Sequence, residues 1–269
     1  MPCIVDIFIL VCDVETLHLF TETMIPQALL LGDSQTQLGW ADSGWVSQLS
    51  AQFVRRLDLI NRGLSGYNTR MLLTVLPDIL EHEDLKRVKV VTLMMGSNDA
   101  SFPDTNPEQA VSLEEFGENM LKILTMLLNH GIKKESIILI APPPILPDKW
   151  TKNRSTCPGP EYKNCKDNDF TKTYAAEVGK IASRLSLSFL DLFSEMMKKC
   201  NLDHALYDGL HLGRDGAAVL CNLLTPELDK RLGAGDSLML PEWREMENES
   251  DAKCAEAYRK WKLENPDRL

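Results

Sequence analysis

Val88–Gly96 reads VKVVTLMMG. Apart from Lys89 and Thr92 the run is apolar, and it does not alternate. A strand with one wet face alternates. A continuous apolar run of this length fits a strand covered on both faces, as parallel strands are. Four more runs read the same way: ALLLGD (Ala28–Asp33), LDLINRG (Leu57–Gly63), SIILIAP (Ser136–Pro142) and LSFLDLF (Leu187–Phe193). Between them lie stretches with helical spacing. GWVSQLSAQFVRRL follows the first strand, NTRMLLTVLPDILEHEDL the second and SLEEFGENMLKILTMLLNHG the third. DFTKTYAAEVGKIASRL follows the fourth, and RDGAAVLCNLLTPELDKRL comes after the fifth. Pro77 is expected to kink or interrupt the second of these helices. Ser112, with Glu115 three residues on, matches a capping box, and Gly131 suits the position just past the helix end. Strand and helix in alternation give an α/β fold, a sandwich around a mainly parallel sheet.

The chain has 269 residues, 44% of them hydrophobic, enough for one large globular domain. The reading divides it into an irregular N-terminal extension (1–24), the α/β domain (25–235) and a charged helical extension packing on the same domain (236–269). That last stretch could instead mediate self-association into a homo-oligomer. The formal net charge of −10 argues against nucleic acid as a partner. The early apolar run Cys3–Cys12 is broken by Asp6 and falls short of the ~20 residues a membrane span needs. The first basic residue is Arg55, so the start lacks the charge of a secretory or transit signal. No membrane span and a cytoplasmic location are therefore expected. Seven cysteines, an odd number, read as mostly reduced thiols. Cys157 and Cys165 lie close together and could pair or hold a metal, but no CxxC and no neighbouring histidine support zinc. The N-x-S sequons at Asn153 and Asn248 read as chance matches.

In open parallel sheets the site lies beyond the carboxyl ends of the strands. The first strand ends in Gly32, Asp33 and Ser34, and the second runs into LSGYNT. The third ends in GSND (Gly96–Asp99), and DGLH (Asp208–His211) comes after the fifth. A serine hydroxyl is a poor nucleophile unless a base accepts its proton. Of the five histidines, His211 falls at this rim. His18 lies in the N-terminal stretch, His82 and His130 at helix ends and His204 in a helix-like segment. Asp208 can reach the other imidazole nitrogen, fix the tautomer and stabilise the imidazolium. The Gly66 and Ser34 N–H groups and the Asn98 side-chain amide are candidate donors to an oxyanion. Gly66 also permits a positive φ. Asp33 and Asp99 read as structural, bonding to local backbone, and Asp215 as favouring a helix N-terminus. Trp40 and Trp45 read as packing residues, and Pro142–Pro144 as a rigid loop. The residue types point to acyl transfer.

GDSQTQLGW, NRGLSGYNTR, GSND and DGLHL, in this order, resemble the four signature blocks of the SGNH (GDSL-type) hydrolases. In detail, with the late PEWRE (Pro241–Glu245), they resemble most the isoamyl acetate-hydrolysing esterase group. The resemblance implies a three-layer α/β/α sandwich with a five-stranded parallel sheet. It implies Ser34 as nucleophile, Gly66 and Asn98 as oxyanion-hole donors and Asp208 and His211 as the rest of the triad. It implies a serine esterase acting on small carboxylic esters, with no cofactor and no metal. A thioesterase, lysophospholipase or carbohydrate deacetylase could use the same site. Two departures stand out. Gln35 follows the nucleophile where Leu or Ile is commoner, which could perturb packing there. Gly213 opens the last helix where Ser is commoner.

Other function classes fit less well. A metal-dependent phosphoesterase built on Asp33, Asn98, Asp208 and His211 would need more histidine ligands than the one available. A non-catalytic binding protein on this fold remains an alternative. A dinucleotide site fails, because GLSGYN lacks the third glycine and follows the second strand.

Overall fold

The computed structural model describes residues 25–155, 163–233, 238–247 and 249–266. The expected extension 1–24 lies outside them, as do Cys157 and Asn248. The chain divides into two compact units. One is Pro26–Ser237; the other includes the described residues from Leu238 onward.

β1 (Gln27–Gly32), β2 (Asp58–Gly63), β3 (Val88–Met94), β4 (Ile137–Ile140) and β5 (Ser188–Leu190) form one sheet in the order β2-β1-β3-β4-β5. Every pairing is parallel. All five apolar runs become strands. The helices of the first half are α1 (Ser34–Gln37), α2 (Trp45–Gln52), α3 (Thr69–His82) and α4 (Leu113–Asn129). The second half adds α5 (Pro147–Ser155), α6 (Asn168–Leu185), α7 (Leu192–Lys199), α8 (Leu202–Ala205) and α9 (Arg214–Leu232).

The layering follows from two periodicities, 2 in a strand and 3.6 in a helix. On β1, Leu29 and Leu31 face one side and pack with Leu72, Leu76 and Leu80 of α3, Phe116 of α4 and Val178 of α6. Ala28 and Leu30 face the other side and pack with Trp45 and Leu49 of α2 and Leu220, Leu224 and Leu228 of α9. Two buried cores, one on each face of the sheet, make the three-layer α/β/α sandwich.

Two local features differ from the simplest expectation. Of the kink or interruption expected at Pro77, the interruption is absent: helix α3 runs through it. Proline inside a helix costs about 3 kcal/mol. The buried stripe Leu72, Leu76 and Leu80 spans it on both sides. Each fully buried leucine contributes roughly 1.5–3 kcal/mol, so the stripe outweighs the proline. The capping box at α4 is half formed. Ser112 Oγ accepts from the Glu115 N–H at 3.3 Å. The Glu115 carboxylate turns instead to Arg70, whose Nη2 donates to it at 2.7 Å. The cationic guanidinium offers two N–H groups to the two carboxylate oxygens, where the Ser112 backbone offers one neutral N–H.

In the second unit, α10 (Asp251–Glu264) starts at Ser250, whose Oγ accepts from the Lys253 N–H at 3.3 Å. No described helix is long and apolar enough to cross a membrane.

Helix α1 lies directly on the end of β2. Asn61 Nδ2 donates to the Thr36 carbonyl at 2.7 Å, and the Ser65 N–H to Gln37 Oε1 at 2.7 Å. A Cβ on Gly63 would fall on the Gln37 backbone nitrogen. Gly63→Ala is therefore expected to destabilise the protein by about 1–3 kcal/mol, read as a lower denaturation midpoint. An unchanged midpoint would show that α1 does not sit this close.

Candidate active site

β1 and β3 are neighbours, but the chain leaves β1 toward β2 and leaves β3 toward β4. Their carboxyl ends therefore open a crevice at the topological switch point. Ser34 is the first residue of α1, immediately after β1. Asp33 caps that helix, its Oδ1 accepting from the Gln35 N–H at 2.9 Å. The turn after β3 carries Asn98, whose carbonyl accepts from Ser101 Oγ at 2.7 Å.

The third contribution is the loop between α8 and α9. Leu206 and Leu212 form an antiparallel bridge, and the Tyr207 N–H donates to the His211 carbonyl at 3.1 Å. Gly209 has φ +96°, and a Cβ there would meet the Trp150 backbone nitrogen at 2.5 Å. Its carbonyl accepts from the Leu146 N–H at 2.8 Å. The start of α5 thus braces the loop.

The loop brings Asp208 and His211 to Ser34. Asp208 Oδ1 accepts from the Leu210 and His211 N–H groups at 2.9 and 2.8 Å. Asp208 Oδ2 lies 2.6 Å from His211 Nδ1. His211 Nε2 lies 2.9 Å from Ser34 Oγ. A carboxylate can only accept, so Nδ1 carries the proton and Nε2 is left to accept from the serine hydroxyl. Burial works against the Asp208 charge, yet the His211 ring and the two backbone donors hold its pKa below the ordinary value. The imidazole stacks on Tyr207 at 5.8 Å between centroids and meets the Trp150 ring edge-on at 5.7 Å.

Gly66 and Asn98 reach the same cleft. Gly66 has φ +83°, the left-handed region that favours glycine. Asn98 Nδ2 donates one hydrogen to the Tyr67 carbonyl at 2.8 Å, and the other is left over. Among the described residues, the Ser34 and Gly66 N–H groups have no protein acceptor. Gln109, which the sequence reading did not single out, ties the two oxyanion candidates together. Its Nε2 donates to the Gly66 carbonyl at 2.8 Å and to Asn98 Oδ1 at 3.2 Å. The cleft, about 490 Å³, is lined among others by Ser34, Gly66, Asn98, Gln109, Trp150 and His211.

Trp45 is buried, its Nε1 donating to the Gln35 carbonyl at 2.8 Å, while Trp40 is half exposed. Neither lines this cleft, nor does any of Pro142–Pro144. Gly213 is the N-cap of α9, without a side-chain bond, and Asp215 lies in the first turn. Among the described residues, no group of three or more His, Cys, Asp or Glu is placed to hold a metal ion.

A buried charged cluster underlies the crevice. Lys166 is 2% exposed, and its Nζ donates to the Ser97 carbonyl and to Ser101 Oγ, on either side of Asn98. Burial pushes its pKa down to about 8, against the pull of Asp33 and Asp99. Nothing in the sequence marked this lysine, because it follows a polar insert that resembles a surface loop. Asp99 was expected to bond locally. It reaches instead to the start of α3, accepting from the Thr69 N–H at 2.9 Å and from Thr69 Oγ1 at 2.5 Å. Burial raises both buried carboxyls, Asp99 to about 6 and Asp33 in the same direction.

The family model for the GDSL-like lipase/acylhydrolase family matches residues 30–219. The chain belongs to this family. It is a carboxylic ester hydrolase. The isoamyl acetate-hydrolyzing esterase 1 homolog of Rattus norvegicus is 37% identical over 228 residues, covering 82% of this chain and 88% of its own. The Homo sapiens protein of the same name is 33% identical, with the same coverage. Among solved structures, a lipase/acylhydrolase from Enterococcus faecalis superposes with a TM-score of 0.57 at 24% identity. That match covers 77% of this chain and 96% of the other, and it concerns the fold alone.

Asp99 gives a pH test. Its raised pKa means that the folded state holds the proton more tightly than the unfolded chain does. The resulting stabilisation is complete below the ordinary carboxylate pKa and is lost as pH rises through about 6. Asp99→Asn keeps an acceptor for Thr69 and cannot ionise. Its melting temperature relative to wild type is expected to climb as pH is raised through about 6. A difference that stays flat with pH would show that Asp99 is not desolvated in the fold.

Proposed function

We propose that the protein hydrolyses small carboxylic esters, short acyl chains on simple alcohols, through an acyl-Ser34 intermediate. The observation that carries this reading is the 2.9 Å contact between His211 Nε2 and Ser34 Oγ, backed by Asp208 on the other ring nitrogen. In this reading His211 takes the hydroxyl proton as Oγ bonds to the ester carbonyl carbon. The carbonyl oxygen becomes an oxyanion, and the Ser34 and Gly66 N–H groups and the second hydrogen of Asn98 Nδ2 receive it. His211 then returns its proton to the departing alcohol as the ester C–O bond breaks. Water repeats the cycle: its oxygen bonds to the acyl carbon, its proton goes to His211, and Ser34 Oγ leaves with that proton. Asp208 stays ionised and stabilises the imidazolium in both steps.

Two observations support the substrate class. A cleft of about 490 Å³ suits a small molecule. The curated relatives at 33–37% identity carry a name that refers to isoamyl acetate, a short-chain ester. The machinery of this reading lies within residues 25–235, outside the charged C-terminal stretch.

The test is hydrolysis of a series of short- to long-chain aryl esters with a chelator present. Short-chain turnover is expected to survive the chelator and to fall at least about 10⁴-fold in Ser34→Ala. Asn98→Ala is expected to lower kcat by about 10²–10³. Equal turnover by wild type and Ser34→Ala would remove Ser34 as the nucleophile. A preference for long acyl chains would overturn the substrate class but leave the chemistry standing.

A further inference from the structure

Gln35, next to the proposed nucleophile, has all of its polar groups engaged although it is only 2% exposed. Its backbone N–H goes to Asp33 Oδ1 at 2.9 Å, and its carbonyl takes Trp45 Nε1 at 2.8 Å. Those two bonds fix the backbone beneath Ser34. The side chain then reaches the loop between α8 and α9. Gln35 Nε2 donates to the Leu210 carbonyl at 2.8 Å, and Gln35 Oε1 accepts from the Leu212 N–H at 3.1 Å. These two backbone groups flank His211. In an extended chain the carbonyl of one residue and the N–H of the second residue on point the same way. A neighbouring parallel strand grips just such a pair. The Gln35 amide does so with a side chain, one donor and one acceptor held in a plane.

We infer that Gln35 is a positioning residue, a bracket that sets His211 against Ser34. The inference rests on the proposed Ser34–His211 chemistry. Apart from the His211–Ser34 contact itself, the loop's other bonds described above run within it or to α5. Without the amide, nothing among them fixes the distance from the imidazole to the hydroxyl. The Leu210 carbonyl and Leu212 N–H would also lose their partners in a site with little water, a cost that moving the loop relieves. A shift of about 1 Å between reacting groups costs up to about 10²-fold in rate.

The experiment compares wild type, Ser34→Ala and Gln35→Met on a short-chain aryl ester. Met fills a volume close to that of Gln and makes neither bond, so the core stays packed. Gln35→Met is expected to lower kcat roughly 10- to 100-fold, with KM within about twofold of wild type. The downfield proton resonance of His211 Nδ1–H is expected to shift or broaden in the same variant. Wild-type kcat and an unchanged resonance in a folded Gln35→Met would overturn the bracket. So would a loss expressed wholly in KM. If Gln35→Met does not fold, amide exchange in the wild type decides. The Leu212 N–H is expected to be protected, and rapid exchange there would overturn the inference. Full activity in Ser34→Ala would bring down the underlying chemistry instead. An inactive Ser34→Ala beside an unaffected Gln35→Met would bring down the bracket alone.

Discussion

The pairing of β1 with β3 is the constraint on which the rest depends. Their register runs from Ala28 opposite Val90 to Gly32 opposite Met94, so both strands end at the same level. The chain then departs in opposite directions, toward β2 from one end and toward β4 from the other. Into the gap between the two ends fall Ser34 from one strand and the Ser97–Asp99 turn from the other. The apolar continuity of both runs, which forces burial on both faces, is what holds the two ends level.

Much of this was legible in the sequence. The five strands came from apolar runs, most of them continuous, and the major helices from their spacing. The four polar clusters could be placed on one rim because a parallel sheet puts all its carboxyl ends on one side. Ser34, Asp208 and His211 stand together in the structure, as the residue types required. What could not be read were contacts between residues far apart in the chain whose partners are backbone groups. The grip of Gln35 on Leu210 and Leu212 is one. The reach of Asp99 to Thr69 is another. No residue-type pattern announces a bond to a peptide carbonyl or N–H. Helix α3 continues past Pro77 for a related reason: local propensity was outweighed by packing against the sheet. At Glu115 a local pattern lost to an arginine from another helix.

The Gln35 departure changes meaning once the fold is known. As a sequence feature it was a polar residue beneath a nucleophile, a threat to packing. In the structure it is buried and each of its polar atoms has a hydrogen-bond partner, and a buried polar group so held rigidifies its surroundings. The cluster of Lys166, Asp33 and Asp99 is a different case. Desolvation opposes the charge on all three; Lys166 attracts both carboxyls, while Asp33 and Asp99 repel each other. The lysine also pins both sides of the Asn98 turn.

Ser34 and His211 are 177 residues apart, joined across almost the whole of the larger unit. A ribosome delivers the serine early and the histidine late. Under the proposed chemistry, the growing chain carries a hydroxyl with no base beside it until the last loop and α9 have emerged. Turnover would then report completion of the sandwich, and a chain without the loop at 206–213 would lack the base.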